Sequence, residues 1–179
     1  MKRYPDYFEQ ESERLQYRAV HEDDIQSWTV FFHQNSFIPF LGIPAGLTEE
    51  EMSRQWLRKQ LERYQESGLG HLAVIEKSSG KLIGMGGIIP RTIDSQLEYE
   101  IAYSIIPVKW GNGYATEIAR HMRSAGVELG ISDHYISIIH MENTPSMKVA
   151  EKNGMSPFQK TSFLDMPVII FCTKSYSEK

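Results

Sequence analysis

The spacing of apolar residues changes twice along this chain, and those changes limit what it can fold into. Residues 48–68, TEEEMSRQWLRKQLERYQESG, set Met52, Trp56, Leu57, Leu61 and Tyr64 at helical spacing. Thr48 and Glu51 form a capping box at the start, and Gly68 is the stop. From His71 the period shortens to that of strands: HLAVIEK (71–77), KLIGMGGIIP (81–90) and QLEYEIAYSII (96–106), with SSGK at 78–81 as a hairpin turn. At Tyr114 it lengthens again. Ala115, Ile118, Met122, Ala125 and Leu129 form one apolar stripe, while Glu117, Arg120, Ser124 and Glu128 fall on or near the other face.

The other segments fit the same alternation. RLQYRAV (14–20) reads as a first strand and EDDIQSWTVFFHQN (22–35) as a helix with acids in its first turn. SFIPFLGIPAG (36–46), with two prolines and two glycines, reads as an irregular loop. HYISIIH (134–140) is a strand, and TPSMKVAEKNG (144–154) a short helix with Pro145 near its start and Gly154 as its stop. Two strands near 158–163 and 168–174 complete the chain. Helices interleaved with strands, including a helical crossover between 96–106 and 134–140, give an α/β or α+β class. At 179 residues the expectation is one domain spanning 1–179.

Composition narrows the function. Net charge is −4 with no run of lysine or arginine, which argues against a nucleic-acid surface. The single cysteine, Cys172, lies in the apolar run VIIFCTK and reads as a packing residue; one cysteine excludes an internal disulfide framework and any multi-cysteine zinc site. The six histidines have no metal-ligand spacing, so no metal is expected. His140 reads as a packed residue close to the cleft. The N-terminus lacks an apolar signal core and no stretch is long enough to span a bilayer, so the expectation is a cytoplasmic protein without membrane partners.

The segment WGNGYATE (110–117) carries the chemistry. A strand ends at Ile105–Ile106, Pro107 breaks it, and two glycines open a helix near Gly113. The first N–H groups of a helix have no internal partners and the helix dipole favours anions there, while glycine lets a pyrophosphate approach the backbone. The loop is not a Walker loop, since the Gly-Lys-Ser/Thr that follows in that motif is missing. It is a poor dinucleotide fingerprint, with Thr116 at the third glycine position and no ribose-binding acid at the end of a second strand. A plain strand-to-helix turn is the other reading. GMGG (84–87) is followed by more strand and matches neither motif.

IIPVKWGNGYATE resembles the acyl-CoA-binding motif of the GCN5-related N-acetyltransferases, Gln/Arg-x-x-Gly-x-Gly/Ala, with Trp110, Gly113 and Ala115 in the three positions. The tryptophan departs from the general pattern and resembles the version in the RimJ/RimL-like branch, which acetylates protein N-termini. ESERLQYRAV, LEYEIAYSI and MENTPSMKVAEKNGM resemble further segments of that branch, in the same order. The resemblance implies a mixed, mostly antiparallel sheet of about seven strands flanked by about four helices. The fourth and fifth strands, 96–106 and 134–140, should splay. It implies acetyl-CoA as co-substrate, bound by Ile105, Ile106, Trp110, Gly111, Asn112, Gly113, Tyr114, Ala115, Thr116, Asn143 and Ser146. The acceptor would be an amine such as a protein N-terminus, an amino acid, a polyamine or another small amine, and the protein a monomer or homodimer.

Direct attack on a thioester needs a group to remove the amine's proton, because a primary amine near its reference pKa is mostly protonated at neutral pH. On 96–106, Glu98 and Glu100 share one strand face. The family resemblance favours Glu100, and a solvated strand face is the alternative for both. The resemblance places the oxyanion donor at the Ile105 backbone N–H. It assigns Asn143 to the pantetheine arm, though a helix N-cap explains Asn143 equally well. Where many relatives have a tyrosine acid for the thiolate this chain has Ala150, leaving Ser146 or no residue in that role. SFIPFLGIPAG and FLDMPV would line the acceptor groove, where Asp165 offers a carboxylate to a cation. Two rival readings stand beside the transferase: a non-catalytic acyl-CoA sensor and a nucleotide-dependent enzyme.

Overall fold

The structure, a computed structural model, describes residues 4–173. Its strands are β1 (Glu9–Glu11), β2 (Leu15–Arg18), β3 (Gly70–Glu76), β4 (Lys81–Ile93), β5 (Gln96–Ile105), β6 (Ile136–His140), β7 (Ser156–Phe163) and β8 (Met166–Cys172). They form one sheet in the order β1-β2-β3-β4-β5-β6-β8-β7. Every neighbouring pair is antiparallel except β5 and β6, which run parallel on either side of a helical crossover. The helices are α1 (Asp24–Phe32), α2 (Glu49–Ser67), α3 (Tyr114–Glu128) and α4 (Thr144–Lys152). The mixed fold and the four helices match the expectation, with one strand more. β1 is three polar residues whose pairing to β2 alone makes them a strand, so no periodicity marks them. Residue 174, placed in the final strand by the sequence, lies outside the described residues.

Local signals act as their chemistry requires. Thr48 accepts from the Glu51 N–H and the Glu51 carboxylate accepts from the Thr48 N–H, completing the capping box of α2. Gly68 ends that helix in the left-handed region at φ 72°. The segment 36–46 is mostly irregular, with one 3-10 turn at Ile38–Phe40.

The two faces of the sheet carry different helices. Gly86 and Ile88 face α3: a Cβ on Gly86 would strike Ile118, and one on Gly126 would lie 2.7 Å from Ile88 Cδ1 and strike the Tyr135 hydroxyl. Glycine at 126 therefore sets how closely α3 seats on β4. By alternation Met85, Gly87 and Ile89 face the other way, together with their partners Ser104, Ala102 and Glu100. There α1 and α2 pack through Trp28, Phe31, Phe32 and Trp56, whose rings lie 4.4–6.2 Å apart. Cys172 is buried, as its apolar run suggests. Among the described residues no helix is long and apolar enough to cross a membrane.

Candidate active site

The loop between β5 and α3 is held open by its backbone. Gly111 and Gly113 lie at φ 78° and 80°, a region that only glycine enters without strain, and nothing stands within 4 Å of a Cβ built on Gly111. The first backbone bond of the helix is Glu117 N–H to Gly113 O at 3.1 Å. Among the described residues, the N–H groups from Gly111 to Thr116 have no acceptor. Asn112 braces the turn by donating to the carbonyls of Lys109 and Trp110. The donor set and the open approach fit a pyrophosphate.

Two carboxylates anchor this loop from outside. Glu76, at the end of β3, accepts from Lys109 Nζ at 2.8 Å and from the Tyr114 hydroxyl at 2.6 Å, so it clasps the loop on both sides. Ser79 also donates to it, at 2.6 Å. These bonds, that of Lys109 first, hold the Glu76 carboxyl down at about 2. Glu117, in the first turn of α3, accepts from Ser12 Oγ, Arg14 N–H and Arg14 Nε at 2.7–2.8 Å. This fixes the Arg14 guanidinium 4.3 Å over the Tyr114 ring, where it donates to the Asn112 carbonyl. A cation thus stands beside the loop, although the sequence assigned it none.

Next to the loop, β5 and β6 part. They pair at one position only, Glu100 with Ile136, and Ser137 Oγ donates to the Ile101 carbonyl. The expected splay is present. Ile106 N–H bonds Ile83 O, so by antiparallel alternation the N–H and C=O of Ile105 turn away from β4, towards β6. Trp110 Nε1 donates to that carbonyl at 2.7 Å, while its ring meets Phe37 edge-on at 5.2 Å. Trp110 is therefore a strut behind Ile105.

A cleft of about 220 Å³ runs from the splay to the α2 face. Glu100 lines it, its side chain 9% exposed; Oε2 accepts from Arg91 Nε at 2.7 Å, and Oε1 has no hydrogen bond among the described residues. Glu98 shares that strand face, as alternation requires, yet stands outside the lining, 3.4 Å from His134 Nε2. Ser146 and Asn143 line the cleft opposite, and Tyr103 bridges it by donating to the Ser146 carbonyl at 2.9 Å. The Asn143 side chain accepts from Ser146 N–H at 3.2 Å, so it caps α4 while facing the cleft. Ala150 is fully buried. His140, also in the lining, stacks on Phe40 at 4.2 Å.

Leu41 and Ile43 of the proline-rich loop and Leu164 and Met166 of the last turn form the outer wall, as expected; Asp165 is not part of it. The sequence reading missed Gln60, Arg63, His71 and Arg91, which also line it. Trp56, one of the apolar residues at helical spacing in α2, lines the cleft as well. The available signal was on α2: Gln60 and Arg63 lie on the Trp56 side of the helix, polar residues next to an apolar stripe. Among the described residues no group of three or more His, Cys, Asp or Glu is placed to hold a metal ion.

Residues 14–156 match the model of the acetyltransferase (GNAT) domain family. The chain is 29% identical over 133 residues to the protein YkkB of Bacillus subtilis (strain 168), covering 74% of this chain and 77% of that one. It superposes on an acetyltransferase from Agrobacterium tumefaciens str. C58 with a TM-score of 0.74 and 22% identity over 92% of each chain. RimL, a ribosomal L7/L12 alpha-N-protein acetyltransferase solved with coenzyme A, superposes at a TM-score of 0.71 with 15% identity, over 90% of this chain and 94% of RimL. At these identities the two superpositions speak for the fold.

Proposed function

Because this chain belongs to the GNAT acetyltransferases, with RimL among its structural relatives, we propose that it transfers an acetyl group from acetyl-CoA to a primary amine. The observation that carries this reading is the parted β5–β6 edge, with the open N–H loop following the end of β5 and Glu100 lining the cleft beside the same strand.

Gly111 to Thr116 hold the pyrophosphate through backbone N–H groups, with Arg14 adding charge. Ile106 and Asn143 flank the pantetheine arm. Bound there, acetyl-CoA supplies an acyl group whose C–S bond is exchanged for a C–N bond to the amine, releasing one proton and a thiolate. The free Oε1 of Glu100 takes the proton, directly or through water. The Ile105 N–H, aimed into the splay, stabilises the oxyanion; donors of this kind contribute about 3 kcal/mol in other enzymes. Ser146, or no residue, serves as the acid for the thiolate. Glu98, bound at His134, has no direct part in this reading.

Titration calorimetry with acetyl-CoA, with NADH and ATP as controls, tests the loop, and thiol release with a panel of amines tests the transfer. Binding of acetyl-CoA alone together with amine-dependent thiol release is the expected result; preference for a nucleotide would remove the reading. A second reading, an acyl-CoA-binding module without transfer, draws on Ala150, which offers no hydroxyl to a departing thiolate. Binding without thiol release would favour it.

A further inference from the structure

The α2 end of the cleft is poor in groups that attract cations. Its charged lining is Lys59, Arg63, Arg91 and Glu100, three positive groups against one negative, in a protein whose net charge is −4. Glu100 is already committed to Arg91 through one oxygen, and Arg91 gives it only Nε. No carboxylate lies within salt-bridge distance of Arg63 among the described residues; its one side-chain hydrogen bond, 3.0 Å long, goes to the neutral Gln60 Oε1. Burial and the nearby charge of Arg91 both weigh against the Arg63 cation.

The neutral groups around these arginines point the same way. His71 is 5% exposed, lines the cleft, and has no hydrogen-bond partner for either ring nitrogen among the described residues. Burial, ahead of the repulsion of Arg63 and Arg91, keeps its ring pKa well below the usual value, so it adds no charge. Trp56 packs 5.7 Å from it and has a buried indole N–H without an acceptor among the described residues. The Trp56 nitrogen and the guanidinium groups can only donate, while neutral His71 has one donor and one acceptor nitrogen, so donors outnumber acceptors on this wall.

We propose that this end of the cleft recognises a carboxylate, so that the acceptor is a small amino acid whose carboxylate meets Arg63 and Arg91 while its amine faces Glu100. The proposal rests on the transferase reading for the amine, but the carboxylate pocket stands or falls separately. A guanidinium fork matches a carboxylate in both shape and charge. Phe40, Trp56 and Phe163 supply apolar walls, which suits an apolar side chain. A polyamine would bring more positive charge to a wall that already has an excess of it.

The test uses the full chain with acetyl-CoA and the standard α-amino acids, each beside its carboxamide, with spermidine as a polycation. Thiol release gives kcat/KM. Calorimetry on the coenzyme A-loaded protein gives binding of the acids independently of transfer. The expected result is kcat/KM roughly ten- to a hundredfold higher for the preferred acid than for its carboxamide. Arg63→Gln should erase that ratio and Arg63→Lys restore part of it, with acetyl-CoA titration reporting that each variant is folded. Acids that bind and lose affinity in Arg63→Gln, but are never acetylated, would uphold the pocket and remove the transferase reading. Equal use of acids and carboxamides, or a preference for spermidine, would overturn the proposal and leave the transferase reading intact. Acids neither bound nor acetylated would also overturn it.

Discussion

Arg91 lies opposite Glu98 in the β4–β5 register, yet its Nε bonds Glu100, one pleat further along the same face, at 2.7 Å. That diagonal reach fixes Glu100 through Oε2 and leaves Oε1 without a hydrogen bond among the described residues. It also separates the two carboxylates of the strand, one beside Arg91 and one beside His134.

Glu100→Gln keeps the shape and a hydrogen bond to Arg91 but removes the proton acceptor. It should lower kcat by about 10²–10³-fold with acetyl-CoA affinity unchanged. Glu98→Gln should change kcat little. Thiol-release kinetics on both variants check this, and equal losses would place the proton acceptor elsewhere.

Trp110→Phe retains the ring against Phe37 and removes the N–H that holds the Ile105 carbonyl. The fold should lose about 1 kcal/mol. The rate should fall while acetyl-CoA affinity is largely kept, because the Ile105 peptide would lose its fixed aim. Urea denaturation and a comparison of kcat with KM read the two effects.

Glu76 makes stability depend on pH in a defined direction. Its folded carboxyl is held at about 2, below its ordinary 4.5. Between those values the unfolded chain binds more protons, so its contribution is complete above about pH 4.5 and is lost as pH falls towards 2. Glu76→Gln should therefore be less stable than wild type at pH 7, and the difference should shrink across that window. Denaturation midpoints measured from pH 7 down to 2 decide it.

Gly126→Ala should cost about 1–3 kcal/mol, since the added Cβ collides with Ile88 and Tyr135 where α3 meets the sheet. Gly130→Ala, beyond the end of the helix at φ 64°, carries the strain of a left-handed backbone position instead. A thermal melt of each variant gives the comparison.

The sequence by itself determined the elements and the form of the glycine loop before α3. Capping at Thr48, the stop at Gly68, strand alternation over 96–106 and the glycines at 111 and 113 all act over a few residues, and local backbone preference carries them. Only the tertiary structure decided how those elements were charged and aimed. Arg14 reaches Glu117 across 103 residues of chain, and Arg63, His71 and Arg91 line one cleft with Glu100 because α2 packs on β3, and β3, β4 and β5 are neighbours in the sheet. β1 too exists only through its partner strand. Ion pairs and donor clusters of this kind have no sequence period, because the sheet order, not chain spacing, sets which side chains meet.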